Sequence, residues 1–406
     1  MKPATKGALK GVMPGSQSSL REANEARILR TLLAHGAQTQ ADIARRTGLS
    51  PATVSNIVRA LRASGAVEAT PVTEGRRAVR VTLSRAAGVV VGVDFGHRHV
   101  LVAVADLSHT VLAEAKRDID VDDSAREGLC VAVRLVHELL DRVGAAPGEI
   151  RGMGIGVPGP IDAATGTVGS SAILPGWVGV DPAAALHGAF GRPVYVDNDA
   201  NLGALGEVTW GAGRGRRDVA YIKAATGVGA GLVLGGRVHR GCAGTAGEIG
   251  HITIDENGEV CRCGNRGCLE TFVGTPVLLR LLRRSHGADL TFREVLRLAR
   301  DGDPGCRRVI ADAGRHIGVA VAHLGNLLSP ELVIVGGDLA AAGDLLIGPL
   351  REAVHRYAIP AAAQALDVVV GELGERAEVL GAVALALRRS GAHVTQHAAA
   401  TLGAVG

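Results

Sequence analysis

Between Glu248 and Glu270 the chain reads EIGHITIDENGEVCRCGNRGCLE. His251, Cys261, Cys263 and Cys268 fall within eighteen residues, so one loop can bring all four together. One imidazole and three thiolates are the tetrahedral ligand set of a structural zinc site, and soft sulfur donors select zinc over calcium or magnesium. Gly264 and Gly267 lie between the cysteines, where a tight reversal requires positive φ. The bland alternatives are a disulfide pair or unrelated thiols. Cys130, Cys242 and Cys306 lie outside the cluster and are expected to be small buried hydrophobes. Two carboxylates, Glu248 and Glu270, bracket the loop, which a closed metal site would hold rigidly.

A second polar group lies at Asn198-Asp199, directly after the strand-like PVYVD. The carboxyl end of a strand is where α/β folds place ligands. The bland reading is a helix N-cap. Short glycine strings occur at Asp94-Phe95-Gly96, Thr226-Gly227-Val228-Gly229 and Gly336-Gly337, and backbone amides that approach phosphates closely need glycine.

Together, Glu-x-x-His followed by Cys-x-Cys-Gly-x-x-Gly-Cys-x-Glu resembles the signature of the ROK family, which contains bacterial sugar kinases and sugar-responsive transcription regulators. The resemblance implies a sugar cleft. It carries the kinases' general-base role onto Asp199, a hydroxyl-ligand role onto Asn198, and sugar contacts onto Gly159, Glu248, His251 and Glu270. Sugars suit this mixture because each hydroxyl both donates and accepts. His251 could serve twice, with one ring nitrogen on zinc and the other toward the sugar. Ile173 stands where the family commonly has Asn. The nucleotide positions implied are Asp94, Gly96, Thr226, Gly227, Gly229, Gly336 and Gly337, but the phosphate turns depart from the kinase pattern. His97 and Arg98 replace the second glycine and the hydroxyl residue of Asp-x-Gly-Gly-Thr, and Ala225 replaces the first glycine of Gly-Thr-Gly-x-Gly. These departures argue against efficient ATP and magnesium use. A sugar kinase, or a regulator with residual kinase activity, is the alternative reading.

The elements that must position these residues follow from periodicity. The chain has 406 residues, too many for one ordinary core. Apolar residues make up 47% but aromatics only 2%, so Val, Leu, Ile and Ala must fill the interior. No run of about eighteen uncharged apolar residues occurs, so no membrane span is expected. The N-terminus lacks a signal-peptide core, and thiolate ligands suit a reducing compartment, hence the cytoplasm.

Residues 1–83 carry ten Arg and three Lys against five Asp and Glu, a net charge of +8, which leaves −4 for the remainder. A basic module on an acidic body suggests a polyanion partner for the module. After an arm at 1–19, helical spacing runs over Leu20–Ala34 and is stopped by Gly36. A short helix is expected at Gln40–Arg46, then a turn at Gly48. A third helix over Pro51–Ala63 starts from Ser50 as N-cap with Pro51 at the first position. Two alternating segments, Ala66–Thr70 and Val79–Leu83, flank Glu74-Gly75-Arg76-Arg77 as a β-hairpin wing. The module over 20–84 resembles the MarR-like winged helix-turn-helix of ROK regulators, with a small helical bundle as its bland alternative. The resemblance implies that the third helix enters the major groove of an operator duplex. Ser50, Thr53, Ser55, Asn56 and Arg59 are then the DNA-facing residues, with Arg76 and Arg77 on the wing.

From Val89 the texture becomes α/β. Buried strands are expected at Val89–Gly96, Val100–Leu107 and after Val111, a helix near Ser124–Val143, and strands at Gly152–Val157 and Val194–Val196, with a helix at Pro182–Phe190 between them. A similar order restarts at Val219. Two halves on one plan, 89–200 and 201–375, resemble the two-lobed actin-like ATPase (ribonuclease H-like, hexokinase-type) fold. A last helix at 377–389 is expected to pack back on the first lobe, before a disordered tail at 391–406. The whole reads as a sugar-responsive repressor of carbohydrate-metabolism genes. The family resemblance implies a sugar or sugar phosphate as effector and a homodimer or homotetramer.

Overall fold

The N-terminal module folds by local rules. The helix α1 spans Gln17–His35, buries Ile28, Leu29, Leu32 and Leu33 on one stripe, and ends at Gly36. It begins inside the stretch expected to be an arm. A two-residue strand β1 (Gln38–Thr39) leads into α2 (Gln40–Thr47), where Thr39 and Asp42 form a reciprocal capping box. Gly48 closes that helix in the left-handed conformation, and Ser50 caps α3 (Pro51–Ala63) by accepting from the Thr53 amide. Val54, Ile57, Val58 and Leu61 form the buried face of α3. The strands β2 (Val67–Pro71) and β3 (Val79–Leu83) pair antiparallel, and β3 also pairs with β1. The β1 pairing is too short to leave a periodic signal in the sequence.

The computed structural model describes residues 17–71, 79–159, 161, 167–168 and 175–390. Arg76 and Arg77 of the wing, Pro160, Asp162 and Ile173, the arm before Gln17 and the tail after Ser390 lie outside the described residues. The chain divides into two units, one of Met1–Val89, Asp106–Thr110 and Leu387–Gly406, the other of Val90–Ala105 and Val111–Ala386.

The larger unit repeats one plan. The strands β4 (Val89–Gly96), β5 (His99–Asp106), β6 (Val111–Asp118), β7 (Ile150–Val157) and β8 (Val194–Asn198) form a sheet of order β6-β5-β4-β7-β8. The helices α4 (Ala125–Val143) and α5 (Pro182–Phe190) lie within that stretch, followed by α6 (Asp199–Trp210). A second sheet uses β9 (Val219–Ala224), β10 (Val228–Leu234), β11 (Arg237–His239), β12 (Leu332–Gly336) and β13 (Asp367–Val370) in the order β11-β10-β9-β12-β13. In both, three strands in sequence order meet two later ones on the far side of the first. Near-continuous Val, Ile and Ala in β4, β9 and β12 reflects burial on both faces.

The sequence reading lacks α6 and β11 as elements; α6 is buried along most of its length, so it shows no amphipathic stripe. The helices α7 (Glu270–Val273), α8 (Thr275–His286), α9 (Phe292–Arg300), α10 (Pro304–Leu328), α11 (Asp344–Tyr357), α12 (Pro360–Ala365) and α13 (Ala377–Arg389) complete the unit. α6 meets α13 backbone to backbone: a Cβ on Gly381 would lie 1.8 Å from the Leu202 carbonyl, and one on Gly206 2.3 Å from that of Ala377. α13 also touches the first sheet, where a Cβ on Gly154 of β7 would lie 2.0 Å from the Ala382 carbonyl. No described helix is long and apolar enough to cross a membrane.

Candidate functional site

The loop between β11 and α7 builds the candidate metal centre. His251 ends a 3-10 turn over Ile249–His251, and short bridges Thr253–Cys268 and Val260–Arg266 fold the loop on itself. The Cys261 amide donates to the Asn265 carbonyl at 2.7 Å, and the Gly264 amide to that of Cys261 at 3.0 Å. Gly267 (φ 62) admits no side chain, since a Cβ there would lie 1.5 Å from the Asp255 carbonyl oxygen.

His251 Nδ1 stands 3.6 Å from Cys261 Sγ, Cys263 Sγ stands 3.7 Å from Cys268 Sγ, and the four donor atoms lie within 4.8 Å of one another. A tetrahedron with a metal–sulfur distance of ~2.3 Å has edges of about 3.8 Å, so the arrangement fits a tetrahedral ion. All six cysteines are free. Burial pushes the Cys268 thiol up to about 12, and binding a metal there must release its proton. The other cysteines divide. Cys306 is buried as expected, but Cys130 and Cys242 are exposed: Cys130 falls between the buried residues Gly128 and Val131 on the outward side of α4, and Cys242 lies in an irregular loop.

The loop organises the cleft beyond its own ligands. While Nδ1 of His251 faces the thiols, Nε2 lies 3.8 Å from Glu248 Oε2. Arg262, between two of the cysteines, clamps Glu270 with Nε to Oε1 at 2.7 Å and Nη2 to Oε2 at 2.9 Å. Glu270 Oε2 in turn accepts from the Val228 amide at 3.1 Å. The metal loop is thereby joined through two side chains to the glycine loop before β10. Burial, then the charges of Asp199 and Glu270, raise the Glu248 carboxyl above the usual range.

At the head of α6, Asn198 is the N-cap: Oδ1 accepts from the Ala200 and Asn201 amides, and Nδ2 donates to the Gly159 carbonyl at 3.0 Å. The capping reading describes this residue, which also lines the cavity. Asp199 Oδ2 receives a 2.8 Å hydrogen bond from Lys223 Nζ, which also lies 3.5 Å from Glu378 Oε1. Tyr221 donates to the same Glu378 oxygen at 3.2 Å. Burial opposes the charge on Lys223, but Asp199, Glu378 and Asp94 outweigh it and hold the amine protonated. At the first glycine turn, Asp94 Oδ2 lies 3.1 Å from His99 Nε2, and His97 Nδ1 lies 2.7 Å from Asp122 Oδ1.

One cavity of about 690 Å³ gathers every cleft residue expected from the sequence: Gly159, Asn198, Asp199, Glu248, His251 and Glu270, and also Asp94, Gly96, Thr226, Gly227, Gly229, Gly336 and Gly337. Lys223, Arg262 and Glu378 also line it and are absent from the sequence-based expectations. Lys223 had a signal, as the single charge inside the apolar strand VAYIKA; Glu378 lies 155 residues further on, at the start of α13, and had none.

In the winged module, Asn56 and Arg59 are exposed on α3, with Arg59 Nη1 3.4 Å from Asn56 Oδ1. Thr53 and Ser55 are half-buried, and the Ser50 hydroxyl is engaged with Thr53.

The ROK family profile matches residues 90–389, and a MarR family profile matches residues 22–78. The chain belongs to the ROK family, in the form that carries a MarR-type winged helix at the N-terminus. It is 30% identical over 389 residues to a protein named xylose repressor from Caldicellulosiruptor bescii, covering 92% of this chain and 97% of that one. A crystal structure described as a ROK family transcriptional regulator, homologue of the E. coli MLC protein, superposes with a TM-score of 0.74 at 25% identity, over 94% of this chain and 99% of that one. A ROK family glucokinase from Streptomyces griseus, solved with glucose and AMPPNP, matches at TM-score 0.66 and 28% identity, over 74% of this chain and 99% of the enzyme.

Proposed function

We propose that this protein is a DNA-binding repressor of carbohydrate-metabolism genes whose grip on its operator responds to a sugar or sugar phosphate in the cleft. The observation that carries this reading is the joining of two parts in one chain: a winged helix with Asn56 and Arg59 exposed on α3, and a cavity in which Asn198, Asp199, Glu248, His251 and Glu270 converge. A repressor relative aligned over nearly its whole length supports it.

Zinc at His251, Cys261, Cys263 and Cys268 is structural in this scheme. It fixes the His251 ring and, through Arg262, the Glu270 carboxylate, so that both face a sugar. Ser50, Thr53, Ser55, Asn56 and Arg59, with Arg76 and Arg77 on the wing, are the operator contacts. The protein acts in the cytoplasm as a homodimer or homotetramer that reads paired half-sites. Coupling between sugar and operator on the order of 1–3 kcal/mol suffices for regulation.

The kinase reading keeps one supporting feature, since Asp199 and the surviving glycines line the same cavity. Against it, Asp199 is paired with Lys223 and Asp94 with His99. The test is selection of bound genomic fragments with and without a panel of pentoses, hexoses, amino sugars and their phosphates. We expect salt-sensitive retardation that one sugar class relieves. Retention unchanged by every sugar overturns the regulatory reading, and phosphoryl transfer above roughly 1 s⁻¹ installs the kinase in its place.

A further inference from the structure

Cys306 takes no part in the cleft. It is fully buried in the first turn of α10, three residues after the N-cap Asp303. His286, the last residue of α8, faces both: its Nε2 lies 3.2 Å from Asp303 Oδ2 and 3.9 Å from Cys306 Sγ, and one donor atom from each residue lies within 4.8 Å of the others.

The rest of the hydrogen bonding restricts what Nε2 can be. Nδ1 of His286 lies 2.8 Å from Ser285 Oγ, and that hydroxyl donates its one proton to the Leu282 carbonyl at 3.1 Å. Ser285 Oγ can therefore only accept from Nδ1–H, and a neutral ring then turns the bare Nε2 lone pair toward a carboxylate oxygen. Asp303 Oδ1 is already occupied by the Cys306 amide at 2.7 Å, so Oδ2 is the free acceptor. Two acceptors 3.2 Å apart repel unless something positive lies between them.

We propose that His286, Asp303 and Cys306 form a second metal site, which takes a zinc-class divalent ion and ties the end of α8 to the start of α10. An imidazole with its other nitrogen pinned by hydrogen bonding, a carboxylate and a thiolate are a recognised zinc donor set. A tetrahedral ion with ligands at ~2.0–2.3 Å gives donor–donor edges of about 3.3–3.8 Å, and the 3.2 and 3.9 Å separations bracket that range. The His286 and Asp303 side chains are 17% and 27% exposed, so the fourth position is open to water. A three-ligand site of this kind binds more weakly than the four-ligand loop and exchanges its ion more readily.

The test is metal counting on the full-length chain, stripped with a chelator and dialysed against buffered Zn²⁺, with Co²⁺ as the spectroscopic probe. The wild type should hold two equivalents. His286→Ala and Asp303→Asn should hold one, and so should Cys263→Ser, whose remaining equivalent should exchange faster than the one left in His286→Ala. Asp303→Asn keeps the helix cap and removes only the charge, so it separates ligation from folding. One equivalent in the wild type overturns the proposal and leaves an imidazolium–carboxylate ion pair. Two equivalents retained by both His286→Ala and Asp303→Asn overturn it equally.

Discussion

The metal loop and the Asp199–Lys223–Glu378 cluster line the same cavity but are built in opposite ways. The four candidate metal donors come from one eighteen-residue segment, and local bridges fold that segment around them. The acid–amine cluster takes one residue each from α6, β9 and α13, spread over 180 residues of sequence. The loop is a module whose chemistry survives being read in isolation. The cluster exists only after two sheets and the crossing of α6 with α13 have formed. A cavity with one edge formed by a loop able to hold a metal and another by buried charge has two supports that can be removed separately.

The largest effect should come from the metal edge. Cys263→Ser, or exhaustive chelation, removes a site of a type that contributes roughly 10–16 kcal/mol of binding free energy in small zinc domains. For Cys263→Ser we expect loss of the ion held by that loop, a lower melting temperature and no sugar response, read by metal analysis, calorimetry and DNA retardation. Metal loading should also fall with acid, because the buried Cys268 thiol must give up its proton to bind. A Cys263→Ser protein that answers sugar normally would separate the loop from the pocket.

Next is Lys223→Met. It leaves Asp199 and Glu378 buried without their cation, and breaking a buried pair from one side costs about 3–5 kcal/mol. Lys223 keeps 20% of its side-chain surface exposed, so the lower end is expected, measured by denaturant unfolding. The metal content should not change; if it does, the two supports are one.

A smaller and pH-dependent effect belongs to Glu378. Burial raises its carboxyl from 4.5 to about 7, against the pull of Lys223. A carboxyl raised in the folded state contributes stability that is present below 4.5 and is lost as pH rises through about 7. Glu378→Gln should remove that slope, so the melting-temperature difference between variant and wild type should move in the variant's favour between pH 4.5 and 7. A difference independent of pH rules out this carboxyl as its source.

The smallest effect lies outside the cavity. Thr39→Ala removes the cap of α2 and should destabilise the winged module by about 1 kcal/mol. Weaker DNA retention with unchanged metal and sugar binding is the expected pattern.

Element positions were legible wherever the signal was local. Ser50-Pro51 announces α3 because a capping hydroxyl and a fixed φ act within one turn, and β4, β9 and α5 follow from unbroken apolar runs or from Gly and Pro punctuation. α6 was hidden because burial on nearly every side erased its stripe, and β1 because two residues carry no period. The exposure of Cys130 is not legible in the sequence, because a cysteine's type does not report which side of a helix it occupies.

By itself, then, the amino-acid order determined the clustering of His251, Cys261, Cys263 and Cys268, the winged helix-turn-helix and the repeated α/β plan, since capping, turn geometry and residue spacing act over a few residues. Only the tertiary structure decided that Lys223 neutralises Asp199, that Arg262 ties the metal loop to Glu270, and that His286 meets Cys306. Electrostatic pairing acts through space, and the partners of a buried charge are settled only when packing brings distant segments within a few ångströms.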